Sequence, residues 1–554
     1  MNQLADLALN HHISPNNPAN RFITGKFLLV IGILLVSILF HLYDINSPPY
    51  QYLPDAEYQS FIATLNYSEK FYSTTAATIE PSATEVDALE AATLEPATIA
   101  KPFIFFQLSK FLPWNLLLKG NAYLLDKIGT ESFWLPRVES VIAWHVAGLF
   151  LFLACLRFFS YRSSLFSLFV FCFSPGAFVM SRCYMPEPIM MMLLCAAFFF
   201  LLNWFQNLKW HNYFAGLILS FLAILFLPKC FFILLGIYAG FGIGFLGFKD
   251  LLKDWKTYLF GAVCISAMLI YRIFGWAQSS HEHAILVWDL LIQPSFWLHW
   301  LKCLFFMMGS ISHSFFSGMG AIINDYAWLL FVCISSLSLF TIADKKLKMG
   351  MLGMLGGYLL YGIFFTYHIH THAYYHIQFF IILIFLIAAG FDFISQHFKK
   401  VNILLPILLF SSVSVSWYFS AANPLQLTDM KASSVQDARI AQQIGDRFKG
   451  YYIACFPIQG MTYQAYKNGL KIMQWPNEAS YLGEKLQKIA KDGSYDDYVA
   501  RIFSKAQKNG VQYFVINDVK RFEKETKLKE VLTKYKVVES SRDFVVFNIR
   551  KKAL

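Results

Sequence analysis

The sequence predicts a polytopic α-helical membrane protein of about eleven transmembrane helices, followed by a C-terminal extracytoplasmic α/β domain. Three observations carry this. Apolar stretches of spanning length recur along the first three quarters of the chain, lysines and arginines collect at alternate ends of those stretches, and from about residue 423 the texture turns to short apolar runs separated by amphipathic ones.

The chain is 56% hydrophobic and 18% aromatic, with a mean hydropathy of +0.46, far above the balance of a soluble protein. Crossing the hydrocarbon takes roughly 20 apolar residues in a helix. Spans are expected near 27–43, 135–156, 165–180, 189–206, 213–228, 231–248, 257–275, 326–343, 351–367, 377–394 and 402–420. Residues 1–26 form a polar arm without a small-residue cleavage site after the first apolar run, so that run reads as a retained helix and not a signal peptide.

The net charge of +11 does not point to nucleic acid, because of where it sits. Arg21 and Lys26 precede the first span, Arg157 and Arg162 follow the second, and Lys209 follows the fourth. Lys249, Lys253 and Lys256 follow the sixth, Lys345, Lys346 and Lys348 the eighth, and Lys399 and Lys400 the tenth. All fall on one side if the N-terminus is cytoplasmic, as the positive-inside bias requires. The first loop and the C-terminal region are then extracytoplasmic. Cys155, Cys172, Cys195, Cys264 and Cys333 lie within spans and read as small buried apolar residues, and Cys455 stands alone in the tail.

The transmembrane domain covers 27–422, and its first external loop, 44–134, is mixed in character. It opens helically from Asp55 to Tyr72, passes through a flexible insertion at 73–100 rich in Thr, Ala, Glu and Pro, and resumes at Lys101-Pro102-Phe103. Phe103–Leu118 is amphipathic and suits the interface, with Trp114 at headgroup depth. A second external stretch from His281 to Asp325 carries Trp288, Trp297 and Trp300, as aromatic belts do. In 423–554, strand-like runs at 451–456, 511–517, 535–540 and 543–549 alternate with helical runs at 433–448, 479–491, 495–508 and 519–533. This implies an α/β domain with a mixed sheet. No glycine-rich loop opens any of its helices, so nucleotide binding is not expected there.

Several groups could carry chemistry. Asp55 and Glu57 stand just past the first membrane exit, where they either cap and favour a helix N-terminus or act as a general base on an acceptor hydroxyl. Arg182 and Lys229 fall at external helix ends and are either anion-binding cations or interfacial snorkelling side chains. His368, His372 and His376 would share one face of a helix at i, i+4, i+8 spacing, leaving open a Zn²⁺ site, phosphate or sugar binding, or a solvated helix end. His281-Glu282-His283 reads as a solvent-exposed cluster.

Four local patterns resemble the GT-C superfamily of polyprenyl-phosphate-sugar-dependent glycosyltransferases, and especially its lipid A aminoarabinose, lipopolysaccharide-core and protein mannosyltransferase families. Asp55-Ala56-Glu57-Tyr58 is similar to that group's acidic motif after the first helix, and Lys101-Pro102-Phe103 to its Lys-Pro-Pro element. Leu135-Pro136-Arg137-Val138 resembles the Arg-containing start of the second helix. Ser174-Pro175 through Ser181-Arg182 to Glu187 resembles the turn between the third and fourth helices. Two departures are evident: Ala56 separates acids that are usually adjacent, and Glu187 stands where Asp is common.

The resemblance implies an inverting transfer from a polyprenyl-monophosphate sugar to a lipid or glycolipid acceptor, such as lipid A or lipopolysaccharide core, or to a protein hydroxyl. It further implies Asp55 or Glu57 as the catalytic acid–base group, with Lys101, Arg137, Arg182, Glu187, Lys229, His372, Tyr374 and Tyr375 as substrate-binding residues. In relatives the arginine at the Arg137 position can simply brace the loop. No cofactor is required, a divalent cation is compatible, and the setting would be a bacterial inner membrane. The rival from another class is a lipid flippase or secondary transporter, which would typically show repeated halves and helices broken at mid-membrane. A structural or assembly protein whose external domain recruits partners is a third reading.

Overall fold

The computed structural model describes residues 18–43, 113–128, 134–275, 344–366, 373–398, 424–449, 451–455, 471–474, 495–516, 519–523, 526–541 and 544–552, with short pieces at 45, 291–294, 296–298, 330, 332–339, 369, 406–408, 410–411 and 413–414. Among these, seven helices are long and apolar enough to cross a membrane, and a bent pair makes an eighth.

The helical region runs through α1 (Pro18–Leu42), α2 (Pro113–Ile128), α3 (Trp134–Cys155), α4 (Tyr161–Phe173), α5 (Pro175–Arg182), α6 (Pro186–Asn207) and α7 (Trp210–Phe226). A 3₁₀ turn at Pro228–Cys230 leads into α8 (Phe231–Leu246), followed by α9 (Phe248–Lys253), α10 (Trp255–Ile270), α11 (Lys345–Phe364) and α12 (Phe379–His397). Spans expected at 326–343 and 402–420 fall largely outside the described residues.

The expected span at 165–180 is broken. α4 and α5 meet at 57°, because Pro175 lacks an N–H and its ring pushes Ser174 out of the helical region, to φ −67°, ψ 145°. Ser174 joins the two pieces: its N–H donates to Val170 O, closing α4, and its Oγ accepts from Ala177 N, capping α5. Of the amphipathic stretch expected at 103–118, residues 103–112 lie outside the described residues; the described helix Pro113–Ile128 includes its last part and runs on beyond it. Its buried stripe is Asn115, Leu118, Asn121, Ala122 and Leu125, and Trp114 packs on Tyr184 with ring centroids 5.6 Å apart.

The contacts between helix ends define two distinct ends of the bundle. At one end Tyr161 OH donates to Lys26 O at 2.7 Å, Tyr213 OH to Lys256 O at 2.7 Å, and Ser163 Oγ to Asp392 Oδ1 at 2.7 Å. This end carries the described lysines and arginines of the charge pattern from Lys26 to Lys348. There the Lys256 ammonium pairs with Asp254 at 3.1 Å and stands 4.9 Å from the Trp210 ring and 5.7 Å from that of Trp255. The opposite end gathers Ile45, Arg137, Arg182, Glu187, Lys229 and Tyr375.

α8 and α11 pack antiparallel through glycines. A methyl group added at Gly236 would collide with Gly353 O, one at Gly353 with Gly236 O, and one at Gly357 with Phe232 O. Close backbone approach through small residues is how apolar helices associate where lipid removes the hydrophobic drive. Cys155, Cys172, Cys195 and Cys264 are buried as expected, but Cys333 is exposed, facing outward from an apolar helical stretch at 332–339.

Beyond α13 (Pro424–Arg447) lie β1 (Tyr452–Cys455), β2 (Lys471–Gln474), α14 (Tyr495–Lys508), β3 (Tyr513–Ile516), α15 (Val519–Phe522), α16 (Thr526–Leu532), β4 (Tyr535–Ser540) and β5 (Val545–Lys552). The strands form one mixed sheet in the order β2-β1-β3-β5-β4; β1 is parallel to both its neighbours and β5 antiparallel to both of its own. Side chains alternate across it. Ile453, Val515 and Val546 meet Ile440, Ile444 and Phe448 from α13, while Ala454, Phe514, Ile516 and Phe547 meet Phe503, Phe522, Leu528 and Leu532. β2 is an addition to the expected strands, the helix expected at 519–533 is two pieces, and that at 479–491 lies outside the described residues.

Candidate active site

The end of the bundle opposite the lysines holds a set of buried ionisable groups. Glu187 sits in the first turn of α6, directly after Pro186, where a carboxylate faces the positive end of the helix dipole. Lys229 occupies the 3₁₀ turn opened by Pro228. Their charged atoms, Oε1 and Nζ, meet at 3.4 Å, with side chains 2% and 6% exposed. The ammonium also stands 3.7 Å from the centre of the Tyr375 ring, a cation–π contact in a desolvated place. Three segments distant in sequence thus converge on one cation.

Arg182 ends α5, a position where a cation suits the negative end of the dipole. It is buried, and its guanidinium carbon lies 4.6 Å from the Phe178 ring centre. Arg137, in the first turn of α3, is also buried, and its Nη1 donates to Ile45 O at 2.7 Å. That bond ties the exit of α1 to the entry of α3, which is a bracing role for the loop that starts there.

Asp55, Glu57, Lys101, His368, His372 and His281-Glu282-His283 lie outside the described residues. Tyr374 belongs to the 3₁₀ turn Ala373–His376, but only the backbone there is described. Of the histidine stripe only His376 is described, and it stands in the 3₁₀ turn Ala373–His376. Both ring nitrogens of buried His376 are engaged: Tyr358 OH lies 2.5 Å from Nδ1, and Nε2 lies 3.1 Å from Ile369 O. His376 therefore holds the turn in place and has no nitrogen left for a metal. Among the described residues no group of three His, Cys, Asp or Glu could hold an ion.

Other buried and half-buried polar groups at and below this end were not expected. Asn121 Nδ2 donates to Glu139 Oε2 at 2.9 Å and to Tyr184 OH at 3.0 Å, bridging α2, α3 and the α5–α6 connection. His41 Nδ1 lies 2.8 Å from Ser181 Oγ, beside Arg182 in sequence. His145 Nε2 lies 2.8 Å from Ser37 Oγ, and the two imidazoles stand 5.0 Å apart edge to face. The available signal was a polar residue inside an apolar span, costly unless it faces the bundle interior; Glu139 and His145 in 135–156 and His41 in 27–43 all carry it.

No family model matches the chain, and no curated protein does. Among solved structures the chain is similar to ArnT from Cupriavidus metallidurans bound to undecaprenyl phosphate, with 14% identity over 95% of this chain and 98% of that one, at a TM-score of 0.47. It is also similar to the archaeal oligosaccharyltransferase AglB from Archaeoglobus fulgidus in complex with an inhibitory peptide and a dolichol-phosphate. There the identity is 11%, over 92% of this chain and 72% of that one, at a TM-score of 0.43. The apo form of the Archaeoglobus fulgidus oligosaccharyltransferase gives 11% over 88% and 69%, at 0.45.

Proposed function

We propose that this chain is an integral membrane glycosyltransferase that moves a sugar from a polyprenyl-monophosphate donor to a lipid or glycolipid acceptor, with lipid A or lipopolysaccharide core as first choice and a protein hydroxyl as second. The observation that carries the reading is the buried junction of Glu187, Lys229 and Tyr375 at the end of the bundle opposite the lysine-rich face. The lysine-rich face is cytoplasmic in this proposal. The junction, the first loop and the α/β domain at 423–554 are then extracytoplasmic, in a bacterial inner membrane.

The reaction is a direct displacement. The acceptor oxygen bonds to the anomeric carbon from one face while the bond from that carbon to the phosphate oxygen breaks on the other, inverting the centre. Asp55 or Glu57 takes the acceptor's proton. The electron pair of the broken bond leaves on the lipid phosphate, and Lys229 and Arg182 meet that developing charge from fixed positions, which lowers the barrier more than mobile water could. Glu187 holds the ammonium in place and Arg137 anchors the loop that carries the acids. Lys101, His372 and Tyr374 complete the donor site in this proposal. The chemistry requires no cofactor, and a divalent cation, if used, would show as activity lost on chelation.

The transporter alternative calls for ionisable groups at helix breaks within the membrane. The break between α4 and α5 carries Ser174 and Pro175, neither of which ionises. Mass spectrometry of envelope lipids and glycoproteins, with and without the gene, tests the proposal. Loss of a mass equal to one sugar from a lipid or glycolipid is expected. An unchanged envelope in cells that express the protein would refute it.

A further inference from the structure

Gln378 lies between the 3₁₀ turn and α12 and is fully buried, yet neither its Nε2 nor its Oε1 has a hydrogen-bond partner among the described residues. Leaving both ends of a buried amide unbonded is expensive, and native interiors rarely tolerate it. The neighbouring polar group is treated differently: His376, two residues earlier, is bonded at both nitrogens by Tyr358 and Ile369. The turn is therefore firmly held, and the amide it presents is unspent.

Its position follows from the backbone. Residues 373–376 form a 3₁₀ turn, and Gln378 continues in a related conformation at φ −64°, ψ −25°. With about three residues per turn, positions i and i+3 lie over one another, which puts Gln378 on the same side of the chain as Tyr375. The Lys229 ammonium stands 3.7 Å from that ring. An amide offers a donor and an acceptor in one plane. A partner that uses both must itself donate and accept, which a hydroxyl does and a fully ionised phosphate oxygen does not.

We propose that Gln378 reads hydroxyl groups of the sugar on the lipid-phosphate donor, one turn along the chain from the Tyr375 ring that the Lys229 cation contacts, and so sets which sugar is accepted. The assignment rests on the proposed function. It divides the donor between two groups: the cation takes the anionic linkage and the amide takes the neutral ring.

The test compares purified full-length wild type, Gln378→Met and Gln378→Asn for binding farnesyl phosphate and farnesyl phosphate carrying glucosyl, mannosyl, arabinosyl or aminoarabinosyl groups. Wild type is expected to bind one sugar-bearing ligand more tightly than bare farnesyl phosphate. Both variants should bind the bare ligand as wild type does, within about twofold, and lose about tenfold of the preference for the sugar, the worth of one or two buried hydrogen bonds. Gln378→Met should melt at or above the wild-type temperature, since it removes two unbonded polar atoms. If the variants keep the full preference, or Gln378→Met melts well below wild type with preference intact, the amide is structural and the assignment is overturned. Should the Met variant not fold, the Asn variant, which keeps an amide but shortens its reach, decides by the same preference. A wild type that binds none of these ligands would overturn the proposed function itself, a result distinct from one in which only Gln378 proves indifferent.

Discussion

The pairing of Glu187 with Lys229 can be tested as both a structural and a catalytic element, because the two roles respond differently to the same substitutions. At an effective dielectric of about 20, unit charges 3.4 Å apart attract by about 5 kcal/mol. Removing each ion from water costs several kcal/mol, so the intact pair contributes little net stability. Removing one member is another matter. Lys229→Met keeps the length of the side chain but leaves a carboxylate 2% exposed without its cation, and the expected loss is about 3–5 kcal/mol. The double variant Glu187→Gln, Lys229→Met removes both charges and should recover most of that loss. Transfer behaves otherwise if Lys229 meets the leaving phosphate: it should stay depressed in the double variant by about 10²–10³-fold, the effect of deleting one preorganised electrostatic group. Unfolding in detergent, followed by tryptophan fluorescence, reads the first quantity, and turnover of a short-chain polyprenyl-phosphate sugar reads the second. A double variant that regains both stability and transfer would refute the phosphate role and leave Lys229 as a strut for Glu187. A single variant as stable as wild type would refute the burial argument beneath both.

Asp55→Asn preserves shape and removes the carboxylate proposed as base, so transfer should fall by roughly 10²-fold or more in correctly inserted protein; near-normal turnover would move the role to Glu57. Gly353→Val places a branched side chain against Gly236 O, and the obstacle is backbone that cannot step aside, so stability in detergent should drop by about 3 kcal/mol. An unchanged unfolding midpoint would mean that α8 and α11 are not packed as described. Reporter fusions at Lys346 and after Leu554 should report opposite sides of the membrane, and agreement between them would show the number of crossings to be wrong by one.

The helical part of the fold was largely legible because apolar length and basic flanks are properties of single segments. α3, α6, α8 and α12 begin and end within a few residues of expectation for that reason. The broken span was harder, although its signal, Ser174-Pro175 inside an apolar run, was present in the sequence. The glycine contact of α8 with α11 was not read at all, since Gly236, Gly240 and Gly244 gain meaning only when another helix is known to lie against them. The site divides the same way. Lys229 and Glu187 could each be singled out as charges at helix ends, but that they meet is a matter of tertiary packing across 42 residues. Of the histidine stripe only His376 is described, and its role as a brace for its turn could be seen only once Tyr358 and Ile369 were placed beside it. Gln378 gave no signal, because an amide is conspicuous only once its surroundings are known to leave it unbonded.

A common rule underlies where the ionisable groups stand. Arg137 follows Pro136, Glu187 follows Pro186 and precedes Pro188, and Lys229 follows Pro228. Proline is tolerated in the first turn of a helix, where its missing N–H would have had no partner, and its fixed φ starts the next helix at a set residue. A charged residue just after it is therefore held in the first turn, at the depth where the helix begins. Because α3, α6 and the turn before α8 all start at the same end of the bundle, the three prolines bring three charges to that end. Glu187 gains in addition from the dipole of α6, whereas Lys229 stands at a helix start where a cation is disfavoured. The carboxylate beside it and the Tyr375 ring above it offset that penalty. In the proposed function this cation, held by the Glu187 carboxylate and the Tyr375 ring in a place its own helix disfavours, exchanges part of that stabilisation for a phosphate, and Pro54-Asp55 repeats the same proline-to-charge step in the sequence of the loop that would face it.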